Sequence, residues 1–265
     1  MPNPSKSWAA LAPRVGVWLC AALASGPGWA ADIASFSGAT LGAPAPAWKF
    51  ATLPNKKPTQ FTVVDLAGAH VLKVEAVDSY GNLVHALNPP VAPHLELSWR
   101  WRVEQLMADA DLTTRSGDDS PAKLCVFFAF DGSKLSFGER AKLALASSTT
   151  GEDVPTQTLC YVWDNKLPVD SAMANAFTKR IRFNVLDSGV DKLGQWVSHR
   201  RKLAADYQRM FGEESAGQVP DITGIAVSAD ADNTHGHALS YFGDIALTPV
   251  RGDPPASAAC CMARP

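Results

Sequence analysis

The clearest hydrophobic pattern in this chain is a strict alternation over residues 94–103. The apolar residues Leu95, Leu97, Trp99 and Trp101 occupy one phase, and Glu96, Ser98, Arg100 and Arg102 occupy the other. Because successive side chains of a strand point to opposite faces, this pattern predicts a strand with one face in the core. We therefore expect both tryptophans to pack inside the protein.

Two other segments, 123–130 and 158–163, are apolar at almost every position. Such runs favour strands in the middle of a sheet, where both faces are covered. Further short apolar segments, separated by turn residues, bring the expected total to about ten strands. Helical composition is confined to residues 137–146, 172–177 and 202–211, and Gly212 is predicted to end the last helix.

Residues 223–249 form two apolar runs on either side of a polar loop at 230–236. This arrangement is typical of two strands joined by a loop, and we expect such a hairpin to complete the domain. Strands do not alternate with helices of ten to fifteen residues, which argues against a parallel α/β sheet. The sequence therefore predicts an all-β fold, a jelly-roll-like antiparallel β-sandwich with two or three short helices.

The first thirty residues have the features of a signal peptide. Lys6 and Arg14 give a basic start, residues 15–24 form a short apolar core, and small residues precede a cleavage point after Ala30. This core is shorter than the roughly 20 residues that a membrane-spanning helix needs. We expect a signal peptide over residues 1–30, a single domain over 31–250 and a disordered tail over 251–265. The mature protein would be periplasmic or extracellular.

Charge excludes one class of partner. The chain has 24 Lys and Arg against 26 Asp and Glu, and without Lys6 and Arg14 the balance becomes 22 against 26, a net charge of −4. Nucleic-acid-binding domains carry a basic stripe, so we expect no nucleic acid partner. No later segment is long and apolar enough to predict a membrane span.

Four cysteines follow the predicted leader, namely Cys125, Cys160, Cys260 and Cys261. Cys125 and Cys160 lie in the two central apolar runs, and an oxidising compartment allows them to pair if those strands are neighbours. Two buried free thiols are an equal alternative, because free cysteine is a common core residue. The spacing of the cysteines does not match a zinc site.

A series of short motifs carries a resemblance to a known family. The motifs are residues 117–119 (GDD), 161–165 (YVWDN), 193–196 (LGQW), 206–213 (DYQRMFGE), 230–234 (DADNT) and 241–245 (YFGDI). In that order they resemble the bacterial exported family called domain of unknown function 3047, from about Trp48 to Leu247. The resemblance implies an exported β-rich domain, and it implies no activity.

The segment 241–245 also resembles the closing strand of jelly-roll carbohydrate-binding modules. In those modules an Asp near this position often helps to hold a structural calcium ion, so the resemblance implies that role for Asp244. The polar loop adds Asp230, Asp232 and Asn233, whose oxygens are the ligands that Ca²⁺ prefers. The alternative is an Asx-rich turn that bonds to its own backbone.

Aromatic and polar side chains at predicted strand ends are the candidates for a ligand site: Asp118, Asp119, Trp163, Asp164, Asn165 and Trp196. Exposed Trp rings stack on sugar rings, and Asp and Asn side chains bond to hydroxyl groups. We assign no catalytic residue.

These observations predict a non-catalytic domain that binds a carbohydrate or a cell-envelope glycan, with calcium as a structural ion. One alternative is a polysaccharide hydrolase or lyase, which needs two of Asp118, Asp119, Asp164 and Asp206 to converge across a cleft. Another is a structural or assembly protein of the envelope with a protein partner, which predicts a large exposed apolar patch. Composition does not separate these three functions.

Overall fold

Sixteen strands and one α-helix form the parts of the chain that a computed structural model describes, residues 31–129 and 157–250. The strands are β1 (Ala31–Ala34), β2 (Trp48–Ala51), β3 (Lys57–Pro58), β4 (Gln60–Leu66), β5 (Ala69–Val77), β6 (Ser79–Tyr80), β7 (Asn82–Val91), β8 (Leu95–Gln105), β9 (Ser120–Phe128), β10 (Gln157–Asp164), β11 (Ala172–Ala174), β12 (Ile181–Ser188), β13 (Val197–Lys202), β14 (Ile222–Asp230), β15 (His237–Phe242) and β16 (Ile245–Pro249). The helix is α1 (Leu203–Ser215), and short 3-10 turns span Phe36–Gly38 and Arg115–Gly117.

The first sheet has seven strands and is centred on β8. On one side β8 pairs with β13, and on the other side it pairs with β15 and β16, which follow one another along it. Strands β5 and β4 extend the sheet beyond β15, and β1 pairs with β16. All of these pairs are antiparallel, as the alternating pattern predicts for a sheet with one face in the core.

The second sheet also has seven strands, in the order β11-β12-β10-β9-β14-β7-β2. Strands β9 and β10, which come from the two continuous apolar runs, lie in its middle as predicted. One pair, β10 with β12, is parallel, while the others are antiparallel. The two sheets form the sandwich, so the predicted jelly-roll-like all-β fold is confirmed.

Large aromatic side chains fill the space between the two sheets. Trp101 of the first sheet and Trp163 of the second are both fully buried, with ring centroids 6.3 Å apart. Trp99 packs on Tyr161 at 5.1 Å. The prediction that the alternating tryptophans face the core is therefore confirmed. Burial of such side chains stabilises the fold by about 1.5–3 kcal/mol each.

A disulfide between Cys125 and Cys160 joins β9 to β10. The two residues lie directly opposite each other in the antiparallel register. Of the two alternatives that the sequence leaves open, the structure shows the paired one. The bridge lies on the face of the second sheet that points away from the first sheet, in a small apolar cluster with Val162 and Phe183.

Two local predictions are wrong, and one lies outside the described residues. Residues 172–174 form strand β11 on the edge of the second sheet, where pairing with β12 overrides the helical composition. Helix α1 continues past Gly212 to Ser215, and Ala216 adopts the left-handed conformation (φ 51°) that was expected at Gly212. The predicted helix at 137–146 falls outside the described residues.

The expected hairpin at 223–249 is also wrong. Strand β14 pairs with β7 and β9 in the second sheet, whereas β15 pairs with β5 and β8 in the first. The polar loop therefore crosses from one sheet to the other at an end of the sandwich. Within the described residues, no helix has the length and apolar character needed to cross a membrane.

Candidate functional site

A buried acidic cluster, consisting of Asp118, Asp119, Asp230 and Asp232, lies at one end of the second sheet. The first two precede β9, Asp230 ends β14, and Asp232 lies in the loop that follows. Because β9 and β14 are neighbours, Asp230 lies opposite Ser120, a residue 110 positions away in sequence. Strand pairing thus brings two distant polar loops together.

Two lysines partly neutralise the acidic cluster. Lys123 of β9 forms an ion pair with Asp230, and the two side chains are only 9% and 4% exposed. The backbone N–H of Ser120 donates a 2.9 Å hydrogen bond to the second oxygen of Asp230. Lys56 reaches Asp232 at 2.5 Å, although 38% of its own side chain is exposed. Four carboxylates therefore face two ammonium groups.

The polar loop after β14 is held by Asp119 as well as by its own backbone, in which the N–H of Gly236 donates to the carbonyl of Ala231 at 3.1 Å. The N–H and the hydroxyl of Thr234 each donate a 2.7 Å hydrogen bond to one carboxylate oxygen of Asp119. The side-chain amide of Asn233 donates to the other oxygen at 3.2 Å. Asp119 thus fixes the loop in which the sequence predicted metal ligands.

The electrostatics of the cluster show that negative charge is in excess. Burial raises the pKa of Asp230 to about 6; Lys123 opposes this increase and Asp119 adds to it. Burial also raises the pKa of Asp118, again against Lys123, with further contributions from Asp119 and Asp232. Asp230 is therefore ionised at neutral pH.

Three members of the cluster are close enough to share an ion. One carboxylate oxygen from each of Asp119, Asp230 and Asp232 lies within 4.8 Å of the other two. The Oδ1 atoms of Asp118 and Asp232 are buried and accept no hydrogen bond within the described part of the chain. Since buried carboxylate oxygens are stabilised by a donor or a cation, this triad could hold a metal ion.

The predicted metal set is only partly brought together. Asp230, Asp232 and Asn233 lie in or beside the cluster, whereas Asp244 does not. Asp244 is exposed in the break between β15 and β16, and its carboxylate accepts hydrogen bonds from the N–H and the hydroxyl of Ser37 at 2.8 and 2.6 Å. It ties the 3-10 turn at Phe36–Gly38 to the first sheet, which explains why an acid stands there.

The expectation that Trp163 is accessible is wrong. Its side chain is 0% exposed, because it lies on the inward phase of β10 and faces the first sheet. Its indole Nε1–H donates a 3.2 Å hydrogen bond to the carbonyl of Gly189. Its position at a strand end did not predict exposure, because the neighbouring sheet covers that end.

Asp164 and Asn165 shape the turn after β10. The buried carboxylate of Asp164 accepts the N–H groups of Lys166 and Leu167 at 2.7 and 2.6 Å, which is an Asx-type turn. The side-chain amide of Asn165 donates to the carbonyl of Met107. Asp118 accepts a hydrogen bond from the side-chain amide of Asn175 at 2.5 Å.

Asp206, the remaining candidate acid, forms a fixed ion pair. Arg201 contacts both of its oxygens, at 2.8 and 2.6 Å, and the hydroxyl of Tyr161 donates to it at 2.7 Å. These contacts dock the first turn of α1 against β13 and β10. This carboxylate anchors the helix to the sandwich.

Trp196 is the member of the predicted ligand set that lies on an open face. It is half-buried, and the guanidinium of Arg100 lies 4.6 Å from its ring centroid. Since Val197 pairs with Trp101, Trp196 lies beside Arg102, immediately before β13 begins. The face concerned is the outer face of the first sheet, which points away from the core.

Trp196 begins a row of side chains that crosses this outer face. Trp196 lies just before β13, and the row continues across four neighbouring strands. Its other members are Arg102 of β8, Tyr241 of β15, Lys73 of β5 and Thr62 of β4. All five are half-buried. Carboxylates accompany the cations, with Glu104 on Arg102 at 2.5 Å and Glu75 on Lys73 at 2.6 Å. We call this set the outer row.

A second buried carboxylate, Asp187, was not singled out by sequence reasoning. It accepts hydrogen bonds from Trp101 Nε1 at 2.8 Å, His199 Nε2 at 2.7 Å and Lys192 Nζ at 2.7 Å. Burial opposes ionisation, but these three donors outweigh it, so the pKa of Asp187 lies below its usual value. The sequence shows only an acidic residue near the end of a strand, and nothing in that pattern predicts the three donors that surround Asp187.

Solved structures provide weak likenesses. A family 11 carbohydrate-binding module of a cellulosomal cellulase from Clostridium thermocellum is 11% identical, with 85% of this chain and 97% of that chain covered at a TM-score of 0.41. A family 12 xyloglucanase from Bacillus licheniformis is 6% identical, with 76% and 98% covered at a TM-score of 0.36. At these scores the likeness says nothing about what this chain binds.

The family comparison covers most of the chain. A comparison with curated proteins found no match. The model of a family described as "Protein of unknown function (DUF3047)" matches residues 46–246, nearly the whole span that the motif series had indicated. The chain therefore belongs to the DUF3047 family.

Proposed function

We propose that this protein is an exported, non-catalytic domain that binds a carbohydrate or a cell-envelope glycan on the outer face of its first sheet. The observation that carries the proposal is the outer row, in which two aromatic rings, Trp196 and Tyr241, alternate with the cations Arg102 and Lys73. An antiparallel sheet spaces its strands by about 4.8 Å, so a row over five strands spans roughly 19 Å. That length suits an extended chain of sugars.

The chemistry of the outer row suits sugar recognition. Partly exposed aromatic rings offer apolar faces for stacking, and their edges stay compatible with water. The ion pairs Arg102–Glu104 and Lys73–Glu75 supply donors and acceptors for hydroxyl groups. Because the row is built on strands, its side chains are held by the sheet rather than by loops.

The contacts of the candidate acids support a non-catalytic role. Glycoside hydrolysis needs two carboxyl groups facing each other across a cleft, typically about 5–9.5 Å apart. Asp164 is bonded to its own turn, and Asp206 is bonded to Arg201 and Tyr161. Asp118 and Asp119 belong to the acidic cluster at the end of the second sheet, whereas the outer row lies on the first sheet.

Export is supported by the disulfide and the leader. A bridge such as Cys125–Cys160 persists in an oxidising compartment and is rare in the cytosol of mesophiles. The residues before Asp32 have the composition of a signal peptide. Calcium is included in this proposal as a structural ion, separate from the glycan face.

The test is binding of a panel of envelope and plant polysaccharides to Trp196→Ala. We expect this substitution to remove stacking surface and to weaken binding by about 1–2 kcal/mol, roughly a factor of 5 to 30. Affinity is measured by isothermal titration calorimetry. The matched control is Phe177→Ala, because Phe177 is 54% exposed and also packs against an arginine, Arg115, but lies at the edge of the second sheet.

Equal affinities of the wild type and Trp196→Ala for every glycan that binds would place the site elsewhere. Binding to none of the glycans, together with capture of an envelope protein, would favour the assembly role instead. Release of reducing ends during incubation would contradict a non-catalytic domain.

A further inference from the structure

We propose that Asp119, Asp230 and Asp232 bind one Ca²⁺ ion that joins the two polar loops at the end of the second sheet, and that Lys56 competes with it. This inference rests on the calcium part of the proposed function and is independent of glycan binding. It replaces the predicted ligand set, in which Asp244 stood where the structure places Asp119.

The first argument is charge. The acidic cluster holds four carboxylates, each in a residue no more than 8% exposed, and its ammonium partners are Lys123 and Lys56. Burying an ionised carboxylate is very unfavourable unless it is paired. Counting the described residues, two negative charges are therefore left for a cation to neutralise when all four carboxylates are ionised.

The second argument is independent of charge and concerns hydrogen bonding. Asp232 uses one oxygen for Lys56, while its Oδ1 is buried and accepts nothing from the described residues; Oδ1 of Asp118 is in the same state. Buried polar atoms in folded proteins nearly always have a partner. A bound cation would supply one for Asp232, whose carboxylate belongs to the triad.

The third argument is size. Oxygens bound to Ca²⁺ lie at about 2.3–2.6 Å from it, so two ligands of one ion are at most about 4.9 Å apart at the middle of that range. The triad meets this limit. Mg²⁺ requires about 2.0–2.1 Å and a near-ideal octahedron, which is harder to form from side chains that are already fixed by Ser120 and Thr234.

Lys56 gives the site an unusual feature. It lies just before β3, it is 38% exposed, and its ammonium reaches inward to Asp232 at 2.5 Å. A tethered ammonium of this kind occupies one carboxylate that the ion needs, and removing it should tighten the binding of Ca²⁺.

The experiment is a titration of the purified, EDTA-treated protein with CaCl₂, followed by calorimetry and by the midpoint of thermal unfolding. An ion that binds only the folded protein raises the midpoint with concentration. We expect wild type to show this increase, Lys56→Gln to bind Ca²⁺ more tightly, and Asp232→Asn to bind at least about tenfold more weakly. Asp244→Asn is the control and should titrate like the wild type.

Absence of heat and of any midpoint increase with wild type and with Lys56→Gln would overturn the proposal. Loss of binding in Asp244→Asn with binding kept in Asp232→Asn would overturn it too. If Asp232→Asn does not fold, the opposite-direction variant Lys56→Gln still decides, because it changes a surface side chain. Repeating the glycan titration in EDTA separates the two proposals. If glycan binding persists after chelation, a failure to bind Ca²⁺ contradicts the calcium site and leaves the glycan-binding proposal intact.

Discussion

Lys123 is 8% exposed on a central strand, and its partner Asp230 is 3% exposed. The pair lies on β9 and β14, so its charges are compensated only once those strands are in register. Burial alone would lower the pKa of Lys123, but the carboxylates of Asp230 and Asp118 raise it. Lys123 is therefore charged although it is buried at the end of the second sheet. Removing it leaves the buried carboxylate of Asp230 without its ammonium partner.

Replacement of Lys123 by Met should destabilise the protein by about 3–5 kcal/mol, because breaking one half of a buried ion pair leaves the other charge uncompensated. Urea unfolding measures the change. Lys166→Met is the matched control: Lys166 pairs with Asp111 at 2.9 Å but is 61% exposed, and such pairs contribute about 0–1 kcal/mol. Similar losses in both variants would contradict this account.

Asp187 makes a separate prediction about pH. Its pKa is lower in the folded protein than in the unfolded chain, since His199, Lys192 and Trp101 together outweigh burial. A lowered carboxyl pKa contributes stability that is fully present above the unfolded pKa and is lost as the pH falls through the folded pKa. Asp187 should therefore make the protein sensitive to acid.

We expect Asp187→Asn to flatten the decline of the free energy of unfolding between about pH 5 and pH 2, relative to the wild type. The measurement is urea unfolding at several pH values. Asp109→Asn, at an exposed position, should leave the slope unchanged. Equal slopes for the wild type and Asp187→Asn would mean that this carboxylate is not the source.

At the scale of elements, the disulfide bridge joins β9 to β10 through two cysteines that are 35 positions apart in sequence. A crosslink across a loop of this length stabilises by about 2–4 kcal/mol, chiefly by restricting the unfolded chain in the entropic view. The two strands also share a long antiparallel register, so the bridge reinforces a contact that the sheet already makes.

The double substitution Cys125→Ala and Cys160→Ala should thus lower the free energy of unfolding by about 2–4 kcal/mol without changing the circular dichroism spectrum of the native protein. Wild-type protein unfolded with a reducing agent should show a similar loss. An unchanged unfolding midpoint in both experiments would mean that the bridge contributes little.

The same scale shows what periodicity could predict and what it could not. The alternation at Trp99 and Trp101 predicted a strand and its inward face correctly, because the pattern repeats over ten residues. Gly212 did not end α1. Phe211 before it and Ser215 after it are both buried, and this packing extends the helix to Ser215. Propensity is a weak guide wherever tertiary packing decides.

At the scale of the whole molecule, the fold class was predictable and the site was not. Asp119 and Asp232 are 113 positions apart, and only the register of β9 with β14 makes them neighbours. The sequence placed one in a ligand set and the other in a metal set. Trp163 and Trp196 looked alike as residues at strand ends, yet one faces the other sheet and one faces solvent.

The position of β14 between β9 and β7 also constrains how the chain can fold. Until residues 222–230 have been synthesised, no strand joins the parts of the second sheet on either side of β14. In the first sheet, β8 and β5 are joined only when β15 has been synthesised. Contacts this distant in sequence make folding slow. Neither sheet of a nascent chain of this protein is thus complete until its last strands have been synthesised.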